Sequence, residues 1–293
     1  MSTTAVADPP PQEMPVGGQE VTGPSAFSGG LKRFVALTRT MAVQEFKLRF
    51  FGSVLGYLWQ LMRPLMLFGV LFLMFTVVFS VSAEPDFGVA LLLGIVLYTF
   101  FAEATGTAVT CVIDRENMVR KIQFPRMVIP MAVVLTACFN LVLNLVVVFT
   151  FGMITGVEPR WSWLGIVPLL ALLVVFASGI AMMLSALYVR YRDVQPIWDV
   201  FLQVIFYGSL ILVPYETVVA QGYEKLGSVL VSNPLAAVLQ EARHIIVNPT
   251  YASASDAIGG SARLLIPLAI VIATFLLGLW VFNREAPRIA EEL

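Results

Sequence analysis

A chain of 293 residues is long enough for two soluble domains, but 58% hydrophobic against 13% charged residues leaves too little polar surface to clothe a water-soluble globule. With a mean hydropathy of +0.86, the composition is that of an integral membrane protein. A formal net charge of -1 excludes a nucleic-acid-binding surface as the main function, because phosphate neutralisation needs a clustered cationic excess. Cys111 and Cys138 sit in apolar stretches far from each other and from His244, so neither a metal site nor a disulfide framework is expected. None of Lys32, Lys47, Lys121 and Lys225 follows the glycine that a phosphate-binding loop requires. If ATP powers this protein, another chain binds it.

Residues 1–30 carry Pro9, Pro10, Pro11, Pro15 and Pro24 with scattered Gly and Ser, three acids and no Lys or Arg. Such a stretch cannot bury enough apolar area to fold, and a disordered cytoplasmic tail is expected. It shows no basic start, apolar run or cleavage site, so the first span is expected to target the chain. Residues 31–51 read as an interfacial amphipathic helix, with Leu31, Phe34, Val35, Met41, Ala42 and Phe46 on one face and Lys32, Arg33, Arg39 and Lys47 on the other. Glu45 and Arg49 fall on or near the apolar stripe, which points to contact with protein as well as lipid.

Crossing about 30 Å of hydrocarbon takes roughly 20 apolar residues. Six runs qualify, at about 64–82, 87–113, 127–157, 161–189, 194–215 and 264–282. The third and fourth exceed one crossing and must tilt, kink near Pro130 or Pro168, or project beyond the bilayer. Placing both termini in the cytoplasm puts fourteen of the eighteen Lys and Arg residues on that side, leaving Arg160, Lys225, Arg243 and Arg263 outside. The connection after the fifth run holds a moderately apolar stretch, 226–247, broken at Asn233-Pro234. Short outer re-entrant helices would satisfy it if protein or a watery path covers their backbone. The fold expected is therefore an all-α integral membrane protein, one six-span transmembrane domain over 31–293.

Ionisable residues at membrane depth are few. Glu103 lies mid-span beside Thr99, Thr105 and Thr107, whose hydroxyls are expected to satisfy it; the other role open to it is a polar contact along a translocation path. Asp199 lies near the start of its run, and His244 has no evident Ser or Cys partner. No catalytic set can be assembled, so no catalytic residue is expected. The loop 114–126 encloses Met118, Val119, Ile122 and Phe124 among charges and suits docking into a partner's groove. Aromatics such as Tyr57 and Trp59 cluster at the interfacial turns, as headgroup belts or as sugar-stacking surfaces. The Gly52–Gly56 and Gly152–Gly156 spacings permit close helix approach.

The run from Phe46 through Lys47, Arg49, Gly52, Gly56 and Tyr57 to Trp59, followed by Pro64, resembles the N-terminal signature of type-2 ABC exporter permeases. The similarity is to the branch that exports O-antigen, teichoic-acid or galactan-like polysaccharides. Three further stretches, at 119–126, 189–194 and Asn233-Pro234-Leu235, agree in order, and the resemblance covers about 31–282. One departure is Ser209-Leu210, where relatives often carry Ser-Pro. The resemblance implies a homodimeric pore in the cytoplasmic membrane paired with two copies of a separate subunit that binds ATP and Mg. It also implies polyprenyl-pyrophosphate-linked glycan as cargo, and Asn117, Met118, Val119, Arg120, Lys121, Ile122 and Phe124 as the ATPase-coupling segment. Lys47, Arg49 and Arg63 then stand where a lipid diphosphate would enter from the inner leaflet, with Glu103, Tyr57 and Trp59 as candidate pore residues. A drug or lipid exporter of the same superfamily and a membrane enzyme modifying lipid-linked sugars are the alternatives.

Overall fold

The structure, a computed structural model, describes residues 30–50, 56–78, 86–121 and 124–286. The expected disordered tail, Gly30 apart, lies outside the described residues, as do Gly52 and Ile122. Every regular element among the described residues is helical. The long helices are α1 (Leu31–Phe50), α2 (Gly56–Leu73, extended by a π turn, Met74–Val78), α3 (Phe87–Thr110) and α5 (Val128–Ile154). They are followed by α6 (Ile166–Arg190), α7 (Val194–Gly208) and, at the end, α12 (Leu265–Glu285). A short α4 (Glu116–Lys121) joins α3 to α5. Between α7 and α12 come α8 (Tyr215–Ala220), α9 (Glu224–Val231), α10 (Pro234–Ala242) and α11 (Ala254–Ile258), so α4 and α8–α11 mark opposite ends of the bundle.

Among the described residues five helices are long and apolar enough to cross a membrane, at Leu58–Val78, Phe87–Thr110, Val128–Ile154, Trp161–Arg190 and Ser261–Glu285. The prolines explain where they start. Pro130, Pro168 and Pro267 each occupy the third position of their helix, where the missing N–H had no intrahelical partner to lose. Of the three alternatives for the long runs, a kink at Pro130 or Pro168 is therefore not the one taken: both prolines mark helix starts. The first crossing begins earlier than its apolar run because Trp59, Gln60 and Arg63 continue the helix instead of preceding it.

The fifth run departs from a single crossing. α7 stops at Gly208 after 15 residues, about 22 Å at 1.5 Å per residue, short of the hydrocarbon thickness. Leu210 takes a left-handed backbone, φ 56°, and Pro214 brings no N–H, so the helix cannot continue into Tyr215. The Gly152–Gly156 spacing is likewise no helix-packing pair: Gly156, φ 98°, lies past the end of α5 and turns the chain.

α3 is the central helix. Its first eleven residues are apolar all round, its polar side chains fall from Tyr98 onward, and it packs against α2, α5, α6 and α7. α6 lies against α12, with Gly179 and Gly278 facing each other at the crossing. α2 leaves almost its whole surface open, including Met66, Val70, Leu73 and Val77. α1 packs along α5 through Phe34, Leu37, Met41, Ala42 and Phe46, while Leu31 and Val35 are exposed. The interrupted stretch after α9 forms α10, buried over eight of its nine residues. Asn233 caps it, accepting from the Leu235 N–H at 3.1 Å and donating to Ser209 Oγ at 3.0 Å.

Candidate functional site

Several polar residues of α2 and α3 come together on facing helix surfaces. On α2, Gly56, Gln60, Arg63 and Pro64 recur at helical spacing; on α3, Thr99, Ala102, Glu103 and Thr107 do the same. These two faces, with Trp59, Tyr98 and Arg49 from the end of α1, line a cavity of about 660 Å³. Arg49 and Arg63 of the candidate diphosphate entrance and Trp59 and Glu103 of the candidate pore thus share one space. Lys47 is exposed on α1 outside that lining, and the Tyr57 side chain lies outside the described residues.

Glu103 is held differently from expectation. Thr99 and Thr105 donate to the carbonyls of Ile95 (2.7 Å) and Phe101 (2.8 Å), one turn back on their own helix, and so are not the carboxylate's donors. Instead Glu103 pairs with Arg49 of α1 and accepts from Gln60 Nε2 of α2 (3.2 Å) and Asn140 Nδ2 of α5 (2.7 Å). Four helices therefore meet at one carboxylate, whose charge is balanced by a guanidinium and two amides. Gln60 and Asn140 were not singled out from sequence. The signal for Asn140 was available: an amide deep inside an apolar span needs a partner.

α7 is fastened to α3 beside this cavity. Tyr98 Oη donates to the Leu202 carbonyl at 2.9 Å and its ring meets Phe206 edge-on at 4.8 Å. Trp198 Nε1 donates to Thr105 Oγ1 at 3.1 Å, which makes Trp198 a helix–helix contact. Asp199 is exposed.

At the α4 end the short helix has two faces. Val119 is buried, Met118 packs on the core and Phe124 just beyond is 5% exposed, whereas Asn117, Arg120 and Lys121 face outward. Arg120 pairs with Glu116 at 2.9 Å across one turn. Arg115, which leads into α4, donates to Glu45 of α1 at 2.7 Å. The two residues that interrupt the apolar stripe of α1, Glu45 and Arg49, thus tie it by ion pairs to Arg115 and Glu103. Arg126 donates to the Ala286 carbonyl, joining the loop after α4 to the end of α12.

At the opposite end a second cavity, about 520 Å³, lies between Phe75 and Phe87, the turn after α7 and α8. Behind it Gln240 donates to Glu216 Oε1 at 2.8 Å and to the Ala252 carbonyl at 3.0 Å, and the buried Arg243 donates to the Ile211 carbonyl at 2.9 Å. His244 Nδ1 lies 2.7 Å from the Tyr251 carbonyl oxygen, which makes it a packing residue.

Among the described residues a polar cavity is thus walled by helices of which two, α2 and α3, are long and apolar enough to cross a membrane, and a short two-faced helix joins α3 to α5. Residues 36–246 match the family described as ABC-2 type transporter, and the chain belongs to that family. It is therefore a multi-pass membrane permease of an ABC transporter, a kind of protein that works with an ATP-binding partner. Among curated proteins, the O-antigen export system permease protein RfbA of Myxococcus xanthus is 28% identical over 209 residues, covering 71% of this chain and 79% of that protein. The protein of the same name from Klebsiella pneumoniae is 27% identical over 208 residues, covering 71% and 78%.

Proposed function

We propose that this chain is the membrane-spanning permease of an ATP-driven exporter that moves polyprenyl-diphosphate-linked polysaccharide across the cytoplasmic membrane. The observation that carries the reading is the cavity that holds both Arg49 and Arg63 beside Trp59 and Tyr98. Guanidinium groups bind phosphate oxygens in pairs, and aromatic faces stack on sugar rings, so one space offers both halves of such a cargo a surface. The names of the relatives, O-antigen export permeases, support the polysaccharide class.

In this reading residues 31–293 act as one transmembrane unit behind the tail 1–30. Both termini and the α4 end face the cytoplasm, which keeps fourteen of eighteen basic side chains inside. α7 and the turn 209–214 together make the fifth crossing, and α8–α11 stand at the outer side. Lys47, Arg49 and Arg63 receive the lipid diphosphate from the inner leaflet; Glu103, Tyr57 and Trp59 belong to the pathway. Asn117, Met118, Val119, Arg120, Lys121, Ile122 and Phe124 couple the chain to its motor. Among the described residues the cavity is walled by the end of α1, α2 and α3, and its open side supports a second copy of the chain supplying the other wall. Two copies of the partner subunit bind ATP and Mg, and their closure shifts the pore between inward-accessible and outward-accessible states.

The test is export into vesicles that contain the chain with its ATPase partner, using defined polyprenyl-diphosphate-linked glycans. Glycan export that needs ATP and is lost on disrupting 120–124 is the expected result. Transport of unrelated amphiphilic drugs without any glycan would refute the reading in favour of a drug exporter.

A further inference from the structure

The cavity holds two cations and one anion, and they are not used alike. Arg63 makes no hydrogen bond or ion pair with any described residue, whereas Arg49 is engaged by Glu103. Arg49 also lines a second cavity, about 480 Å³, together with Glu45, Leu48, Arg115 and Met118. One side chain thus borders both the candidate cargo space and the groove next to α4. One turn earlier on α1, Glu45 holds Arg115 at the foot of α4.

We propose that Glu103 is a built-in competitor for the cargo's diphosphate: it keeps Arg49 while the cavity lacks cargo, and a diphosphate docked on Arg63 takes Arg49 over. This rests on the lipid-diphosphate reading above. The exchange loosens the last turn of α1 at the groove that carries Met118, so the head group is reported to the α4 end. Three features make the exchange feasible. Arg49 is 31% exposed on a long side chain, so it can swing without unpacking a helix. Gln60 and Asn140 still donate to Glu103 after Arg49 leaves, so the carboxylate is not orphaned. Arg49, Arg63 and Glu103 together carry a net charge of one positive unit, which attracts a dianion without trapping it. A transport site needs that balance, because its cargo must also leave.

The test uses the permease with its ATPase partner in phosphatidylcholine nanodiscs, with Cys111 and Cys138 replaced by alanine and a nitroxide on Leu48→Cys, a position 72% exposed. Polyprenyl diphosphate is expected to mobilise the label, and polyprenyl monophosphate to do so only at roughly tenfold higher concentration. In Glu103→Gln the label is expected to be mobile without lipid, and the half-saturating concentration of radiolabelled polyprenyl diphosphate to fall roughly tenfold. Gln60→Glu adds a second carboxylate to the same cavity and is expected to raise it roughly tenfold, which keeps the idea refutable should Glu103→Gln not fold. Weaker binding in Arg63→Gln, together with an unmoved label and unchanged affinity in Glu103→Gln and Gln60→Glu, would overturn the exchange alone. Unchanged binding in all three variants would overturn the lipid-diphosphate reading and the exchange with it.

Discussion

Replacing Gly278 by alanine tests what holds α12 in place. A methyl there would run into the carbonyl oxygen of Gly179 on α6 and stand 2.8 Å from its carbonyl carbon and 3.0 Å from its Cα. Non-bonded carbons rest near 3.5 Å, so the helices must part by at least about 0.7 Å and further to clear the oxygen, a gap that forfeits at least roughly a quarter to a half of each contact along the seam. The obstacle is backbone, which cannot swing aside as a side chain would. α6 is the chief neighbour of α12, and between apolar helices in lipid close packing is most of what binds them. The expected cost is about 2 kcal/mol, read as a fall of about 4–8 °C in the thermal midpoint of the detergent-purified protein. Gly69 on α2 is the matched control: nothing lies within 4 Å of a methyl placed there, and Gly69→Ala should leave the midpoint unchanged or raise it slightly. A Gly278→Ala protein as stable as the parent, or an equal loss in both variants, would refute the packing argument.

Other consequences follow from the polar ties. Glu45→Ala and Arg115→Ala each break the 2.7 Å pair between α1 and the foot of α4; a double-mutant cycle on thermal stability should return a coupling of about 1–2 kcal/mol. The charge-swapped pair, Glu45→Arg with Arg115→Glu, should recover most of the vesicle export that either alanine variant loses. Asn233→Ala removes both the cap of α10 and the bond to Ser209, costing about 1–2 kcal/mol, and hydrogen exchange should speed up across residues 234–242 while α3 stays protected. Tyr98→Phe removes the hydroxyl that ties α3 to the Leu202 carbonyl of α7, at about 1 kcal/mol, and pulsed spin-label distances between α3 and α7 should broaden.

How far the sequence reaches is clearest at Glu103 and α7. Apolar runs of about 20 residues, their proline-marked starts and the one carboxylate at depth are properties of the chain in order, so the helices that can cross a membrane are readable from it. The polar spacing on α2 and α3 is readable for the same reason, since residues three and four apart share a helix face whatever surrounds them. Which helix sits at the centre is not. α3 and α2 are about equally hydrophobic, yet one is enclosed and the other open, because lipid tails are as apolar as leucine and leave no compositional mark of burial. The sequence neighbours of Glu103 pointed to threonines that in the folded protein serve their own helix. The groups that hold it, Arg49, Gln60 and Asn140, stand 54, 43 and 37 positions away. An apolar run also says nothing of a left-handed residue at Leu210, so the early end of α7 had to come from the tertiary structure. Periodicity along one chain specifies faces; only the packing of several helices decides which faces meet and which charges find each other.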